Sequence, residues 1–178
     1  MPFFSKQPKL NLYVALYARE QPNTYHWALL TGYKDEHKKP EGYRYHVRNL
    51  PGRDQSGRAV VTWQYEERDL TNVRFTTQLL VRIRVSKVAD LARLQEILRQ
   101  VPVVQGDPSW TCRIWVRDAI AALNADGRAL KKPVNWPAVE ARGPQYVQEK
   151  IAANRWGAGA DLSTAPTWDM MKNKEMSP

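Results

Sequence analysis

The chain of 178 residues holds one cysteine, Cys112, and three histidines, His26, His37 and His46. A thiol and an imidazole brought together make an activated nucleophile, the chemistry of acyl transfer through a thioester. Cys112 stands in the stretch SWTCRIWV. Counting forward, Val116, Ala119, Ile120 and Leu123 fall four, seven, eight and eleven positions on, which is one apolar helical stripe. Cys112 shares that stripe and faces whatever the helix packs on. A helix N-terminus offers partial positive charge and unpaired N–H groups, which lower a thiol pKa and can hold an oxyanion. A free cysteine on an apolar stripe also serves as a small core hydrophobe. The residues of the stripe are compatible with both roles.

His26 opens an apolar run in NTYHWALLTGY, between Tyr25 and Trp27. There it is either the base for Cys112 or the edge of an aromatic cluster. His46 shares a strand face with Arg44 and Arg48, while Tyr43, Tyr45 and Val47 share the other, a pattern that would leave His46 in solvent. His37 lies in DEHKKP and reads as an exposed loop residue. No two histidines have the close or helical spacing of a zinc site, so no metal is expected. The glycines are scattered and form no phosphate loop, so no cofactor is expected. Glu66 and Glu67 are strand neighbours that point to opposite faces, and read as surface charge.

The elements that must position these residues fall into two halves. Strands are expected over 10–18, 24–33, 43–49, 59–70 and 75–88, separated by polar turns with Pro and Gly. Helices follow. Leu91, Leu94, Ile97, Leu98 and Val101 recur at helical spacing. DPSWTCRIWVRDAIAALNADG predicts a second helix, with Asp107 as N-cap, Pro108 in its first turn and Gly127 as its stop. A third covers about 136–153. The small, polar, proline-containing stretch after Trp156 reads as a mobile tail. The expected organisation is one α+β domain over 1–156 and a flexible tail over 157–178.

With seven Trp, eight Tyr and 43% hydrophobic residues the composition is globular. No apolar run reaches the roughly 18 residues of a membrane span. MPFFSKQPKL lacks the apolar core and small-residue cleavage site of a signal peptide. One cysteine excludes an internal disulfide, and a reducing cytoplasmic setting is the simplest expectation. The net charge of +9 favours an acidic partner such as RNA, DNA or an anionic membrane surface. Arg82 and Arg84, with Arg44 and Arg48, are candidates for a basic stripe across two strands, interleaved with Tyr and Trp. Arg113 and Arg117, one helical turn apart beside the thiol, are candidates for gripping an anionic substrate.

HWALLTG resembles the histidine strand of the circularly permuted papain-like thiol enzymes. These include the lecithin:retinol acyltransferase-like proteins and relatives of the NlpC-type and PPPDE peptidases. The resemblance covers roughly residues 10–125, in the order His26, His46, Cys112. It implies that His26 deprotonates Cys112 and that His46 orients His26. WTCRIWV departs from the Asn-Cys-Glu/Asn-His type of motif common in those relatives. The whole chain also resembles a family of small fungal proteins with YHWALL and WTCR-WV signatures, which implies a shared fold and no activity. A further similarity is to fungal arginine-containing cyclodipeptide synthases, which draw aminoacyl groups from charged tRNA.

The fold expected is an antiparallel sheet of about five strands followed by two or three helices, in a permuted papain-like arrangement. The function expected is acyl transfer or hydrolysis by Cys112, His26 and His46. The alternatives are an aminoacyl-tRNA-dependent transferase and a non-enzymatic basic module that binds nucleic acid or protein. The acyl substrate, the acceptor and the oligomeric state are not written in the sequence.

Overall fold

The structure, a computed structural model, describes residues 8–178. The segment MPFFSKQ, which carries most of the stretch read above for a signal peptide, lies outside the described residues. Five strands come first: β1 Leu10–Ala18, β2 Tyr25–Tyr33, β3 Gly42–Arg53, β4 Ala59–Leu70 and β5 Leu79–Val88. Three helices follow, α1 Leu91–Gln100, α2 Cys112–Asp126 and α3 Trp136–Ala152, then the short strands β6 Thr167–Asp169 and β7 Lys174–Ser177. The sheet order is β4-β3-β2-β1-β5-β6-β7.

The expected five-stranded antiparallel sheet is therefore corrected to a seven-stranded mixed one, within an α+β fold. β6 runs parallel to β5, with Arg82 opposite Thr167 and Arg84 opposite Asp169, and β7 returns antiparallel beside it. The stretch taken for a tail supplies both strands. Three residues, Thr-Trp-Asp, are too short for a period to show in sequence. What places them is tertiary: the buried Arg84 guanidinium meets Asp169 at 3.0 Å, and Arg82 Nε donates to Thr167 Oγ1 at 3.1 Å.

The main core lies between the sheet and the helices. Leu12, Val14, Leu16, Trp27, Leu29, Tyr45, Val47, Val81 and Ile83 face Leu98, Trp115, Val116, Ile120 and Val147 there. The alternate residues of β1 and β2, among them Tyr13, Ala15, Tyr17, Ala28 and Leu30, form a second cluster on the other face with Val73 and Ala165. This is the two-residue period of a strand buried on both sides. α3 lies close to β1 and β2 because Gly143 has no side chain. A Cβ there would meet Leu16 at 3.2 Å and Trp27 at 3.3 Å. Among the described residues no helix is long and apolar enough to cross a membrane.

Two local features prepare the site. Asp107 does not cap α2; its carboxylate closes a turn by accepting from Ser109 N–H and Oγ. The helix begins instead at Cys112, and its N-cap Thr111 makes no side-chain capping bond. The amides of that first turn are thus left without the usual side-chain acceptor. The second feature is a parting of strands. β3 stays paired with β4 from Gly42 to Arg53, but β2 pairs with β3 only from Leu29↔Tyr45 to Gly32↔Gly42. Toward Tyr25 the two strands separate.

Candidate active site

Cys112 is inserted at this opening. Its Sγ accepts the N–H of Trp27 at 3.4 Å, at the level where the β2–β3 ladder has ended. Strand N–H groups point along the sheet toward the neighbouring strand. A sulfur that accepts from one therefore sits in the slot between β2 and β3, level with the sheet rather than stacked on a face. Arg19, exposed in the β1–β2 turn, approaches the same sulfur with Nη2 at 3.5 Å.

His26 and His46 flank the slot. Alternation turns both toward the face away from the helices: His26 lies by Tyr17, with ring centroids 6.0 Å apart, and its neighbour Trp27 packs in the helix-side core. The two imidazoles bridge the gap that the parted strands leave, His26 Nε2 to His46 Nδ1 at 2.7 Å. His46 is not in solvent, as its pattern suggested, but buried. Its other nitrogen, Nε2, meets Glu66 Oε2 at 2.7 Å. Glu66 stands directly opposite His46 on β4 and also receives Arg48 Nη1 at 3.3 Å.

The polarity of this chain is fixed at its carboxylate end. Burial raises the Glu66 carboxyl, but the His46 bond and the charges of Arg48 and Arg44 outweigh it, and the net shift is downward. Glu66 is then ionised near neutral pH and can only accept. His46 must donate from Nε2, which leaves its Nδ1 as acceptor. His26 must donate from Nε2, which leaves its own Nδ1 with a lone pair. That nitrogen makes no hydrogen bond among the described residues, and none joins it to Cys112.

Both ends of the would-be pair rest uncharged. Burial lowers His26 to about 3, helped by His46, Arg19 and Arg44. Burial raises the Cys112 thiol, against the opposing pull of the Trp27 N–H, Arg19 and the first amides of α2. The lowered thiol pKa expected of a helix-terminal cysteine is thus corrected: desolvation outweighs the helix end. His46 is also lowered, by burial first, although Glu66 opposes.

A pH dependence of stability follows. Between the ordinary histidine value of about 6.5 and about 3, the unfolded chain binds a proton at His26 that the folded chain refuses. Stability should therefore be intact above pH ~6.5 and fall as pH drops through that window, by at most about 1.4 kcal/mol per pH unit for one proton. Urea unfolding at pH 7 and pH 5 measures it, and His26→Gln should flatten the dependence.

The remaining candidates do not join the site. Arg82 and Arg84 are buried and committed, Arg82 to Glu36 at 2.8 and 3.0 Å and Arg84 to Asp169. They cannot form an exposed stripe for RNA phosphates, which corrects that expectation. Their alternation with Val81, Ile83 and Val85 is that of a strand buried on both faces, with the polar side served by ion pairs. Arg113 pairs with Glu140 of α3 at 2.8 Å, and Arg117 with its neighbour Asp118 at 2.9 Å. His37 is exposed and meets Arg74 at 3.1 Å. Among the described residues no group of three or more His, Cys, Asp or Glu could hold a metal ion. Sequence reasoning missed two members. Glu66 was set aside as surface charge, although on a paired strand it falls opposite His46. Arg19 lies in a turn and had no sequence signal.

The model of a family of unknown function (DUF6914) matches residues 9–177. No curated protein and no solved structure matches the chain.

Proposed function

We propose that this chain, which belongs to that family of unknown function, is a thiol enzyme that transfers or hydrolyses acyl groups through a thioester on Cys112. The observation that carries the reading is the continuous line Glu66–His46–His26, with 2.7 Å at each link, which ends in an unengaged ring nitrogen beside the peptide that binds the thiol. A carboxylate and an imidazole held in one tautomer are what a general base needs behind it.

In the reaction, substrate displaces Arg19 from the sulfur, and His26 Nδ1 takes the thiol proton as Sγ attacks the acyl carbon. The carbonyl π electrons move to oxygen. The uncapped amides of α2 supply the donors for that oxyanion. Collapse restores the carbonyl and expels the leaving group, which takes the proton from His26. Water or an amine then attacks the thioester, giving its proton to His26, and Cys112 leaves as the thiol. Glu66 holds His46, and so His26, against the imidazolium charge that forms. The aminoacyl acceptor or donor of a tRNA-dependent transferase would use the same thiol, but the buried Arg82 and Arg84 remove the strand surface on which RNA binding had been expected. The free thiol fits a reducing compartment such as the cytosol.

Incubation with p-nitrophenyl acetate followed by intact mass spectrometry tests the reading. One acetyl group should appear on Cys112 and turn over, and Cys112→Ala should show none. Acetylation spread over lysines, unchanged in Cys112→Ala, would leave the cysteine as core alone.

A further inference from the structure

At the far end of β1 from the thiol lies a cavity of about 740 Å³. Leu10 lines it, whereas Leu16, six residues along β1, pairs with Trp27 at the thiol slot. The separation is roughly 20 Å at the rise of a strand. Six exposed lysines surround the cavity: Lys9, Lys34, Lys87, Lys131, Lys132 and Lys172. The salt bridges of the described residues include none of the six. No carboxylate is among the described lining residues. In the lining also stands Arg84, whose side chain is only 8% exposed and whose Nε is buried without a hydrogen-bond partner. Asp169 engages this guanidinium through Nη1 alone.

We propose that this cavity is a binding site for a small soluble polyphosphate, a ligand with three or more phosphate groups close together. Six ammonium groups of one sign around one cavity repel each other, and clustered phosphates relieve that repulsion. Lysine is a compact point charge with rotatable donors, suited to phosphates of varied arrangement. Arg84 adds a further cationic residue to the lining, fixed in place by its bond to Asp169. The concave shape selects a compact ligand over a nucleic-acid backbone, which needs an extended track. Leu10, Val88 and Met171 in the lining provide apolar surface for a base or ring carried with the phosphates.

The probe is sodium tripolyphosphate, followed by calorimetry and by the thermal midpoint of the full chain. Binding should be saturable at one per chain and raise the midpoint, since the ligand favours the folded state. Orthophosphate should bind at least about tenfold more weakly, and raising salt from about 50 to about 200 mM should cost about tenfold or more. Lys131→Glu with Lys132→Glu should abolish binding. Arg53→Glu with Arg58→Glu, the same charge change at the end of β3 and in the turn that follows it, should retain most of it. ATP and inositol hexakisphosphate, run in parallel, separate a nucleotide from an inositol ligand by which saturates at the lower concentration. Absence of tripolyphosphate binding at low salt would overturn the site, and so would equal loss in both double variants. Bulk tRNA binding that tripolyphosphate fails to displace would assign the lysines to RNA and overturn it too. Cys112→Ala leaves this binding intact, so the site stands or falls apart from the thiol chemistry.

Discussion

Alanine at Asp169 should destabilise the protein by about 3–5 kcal/mol, the range for stripping one partner from a buried ion pair. Asp169 is fully buried and holds Arg84 Nη1 at 3.0 Å through Oδ2. Its Oδ1 accepts the N–H of Met171 at 2.9 Å and so shapes the turn into β7. The variant leaves a guanidinium under cover with no counter-charge and frees the turn. For a chain of this size the thermal midpoint should drop by on the order of 10 °C. Asp169→Asn separates the two roles: it keeps an acceptor for the turn and removes the charge, and should fall between the variant and the wild type. Asp35→Ala, which breaks the solvent-exposed pair with Lys38, should change stability by no more than about 1 kcal/mol. Chemical denaturation of the four proteins decides the matter. A midpoint for Asp169→Ala equal to that of Asp35→Ala would mean that β6 contributes nothing to the fold.

Replacing His26 by alanine should slow acylation of Cys112 by about 10²–10⁴-fold, the usual contribution of a positioned general base. The Glu66→Gln effect is more informative. A glutamine amide can donate as well as accept, so it no longer dictates which nitrogen of His46 carries the proton. Without that instruction His26 is free to place its proton on Nδ1, where it cannot take another. Acylation should then fall by at least about tenfold, with Cys112 still present and the fold intact by circular dichroism. Pre-steady-state acylation with p-nitrophenyl acetate, monitored by released nitrophenolate, reads both variants. An unaltered rate in His26→Ala would remove the imidazole from the chemistry.

The antiparallel part of the sheet was legible because its strands are long and their turns are marked by Pro and Gly. β1 and β4 fall at the expected residues, and α2 presents the apolar stripe counted forward from Cys112. The pairing of β5 with β6 was not legible, since three residues carry no period and the partners lie 85 positions apart. Asp107 misled because a turn and a helix N-cap use the same aspartate chemistry, and only the backbone decides between them. The order and approximate placement of Cys112, His26 and His46 came from sequence. Their geometry did not, because it depends on β2 and β3 parting company, and nothing in either strand announces where a ladder stops. The thiol pKa went the wrong way for a related reason: a helix terminus is visible in sequence, but the degree of burial around it is not.

β6 and β7 follow β1 to β5 and the three helices out of the ribosome. Until they do, a nascent chain that has already built β1 to β5 exposes the free edge of β5. Such an edge invites pairing with a neighbouring chain. Here it bears Arg82 and Arg84, two charges that a second chain could bury only at great cost. Their own partners arrive in part from the C-terminal stretch, with Thr167 and Asp169. The same arginines that fasten the finished sheet would therefore oppose edge pairing of the unfinished one.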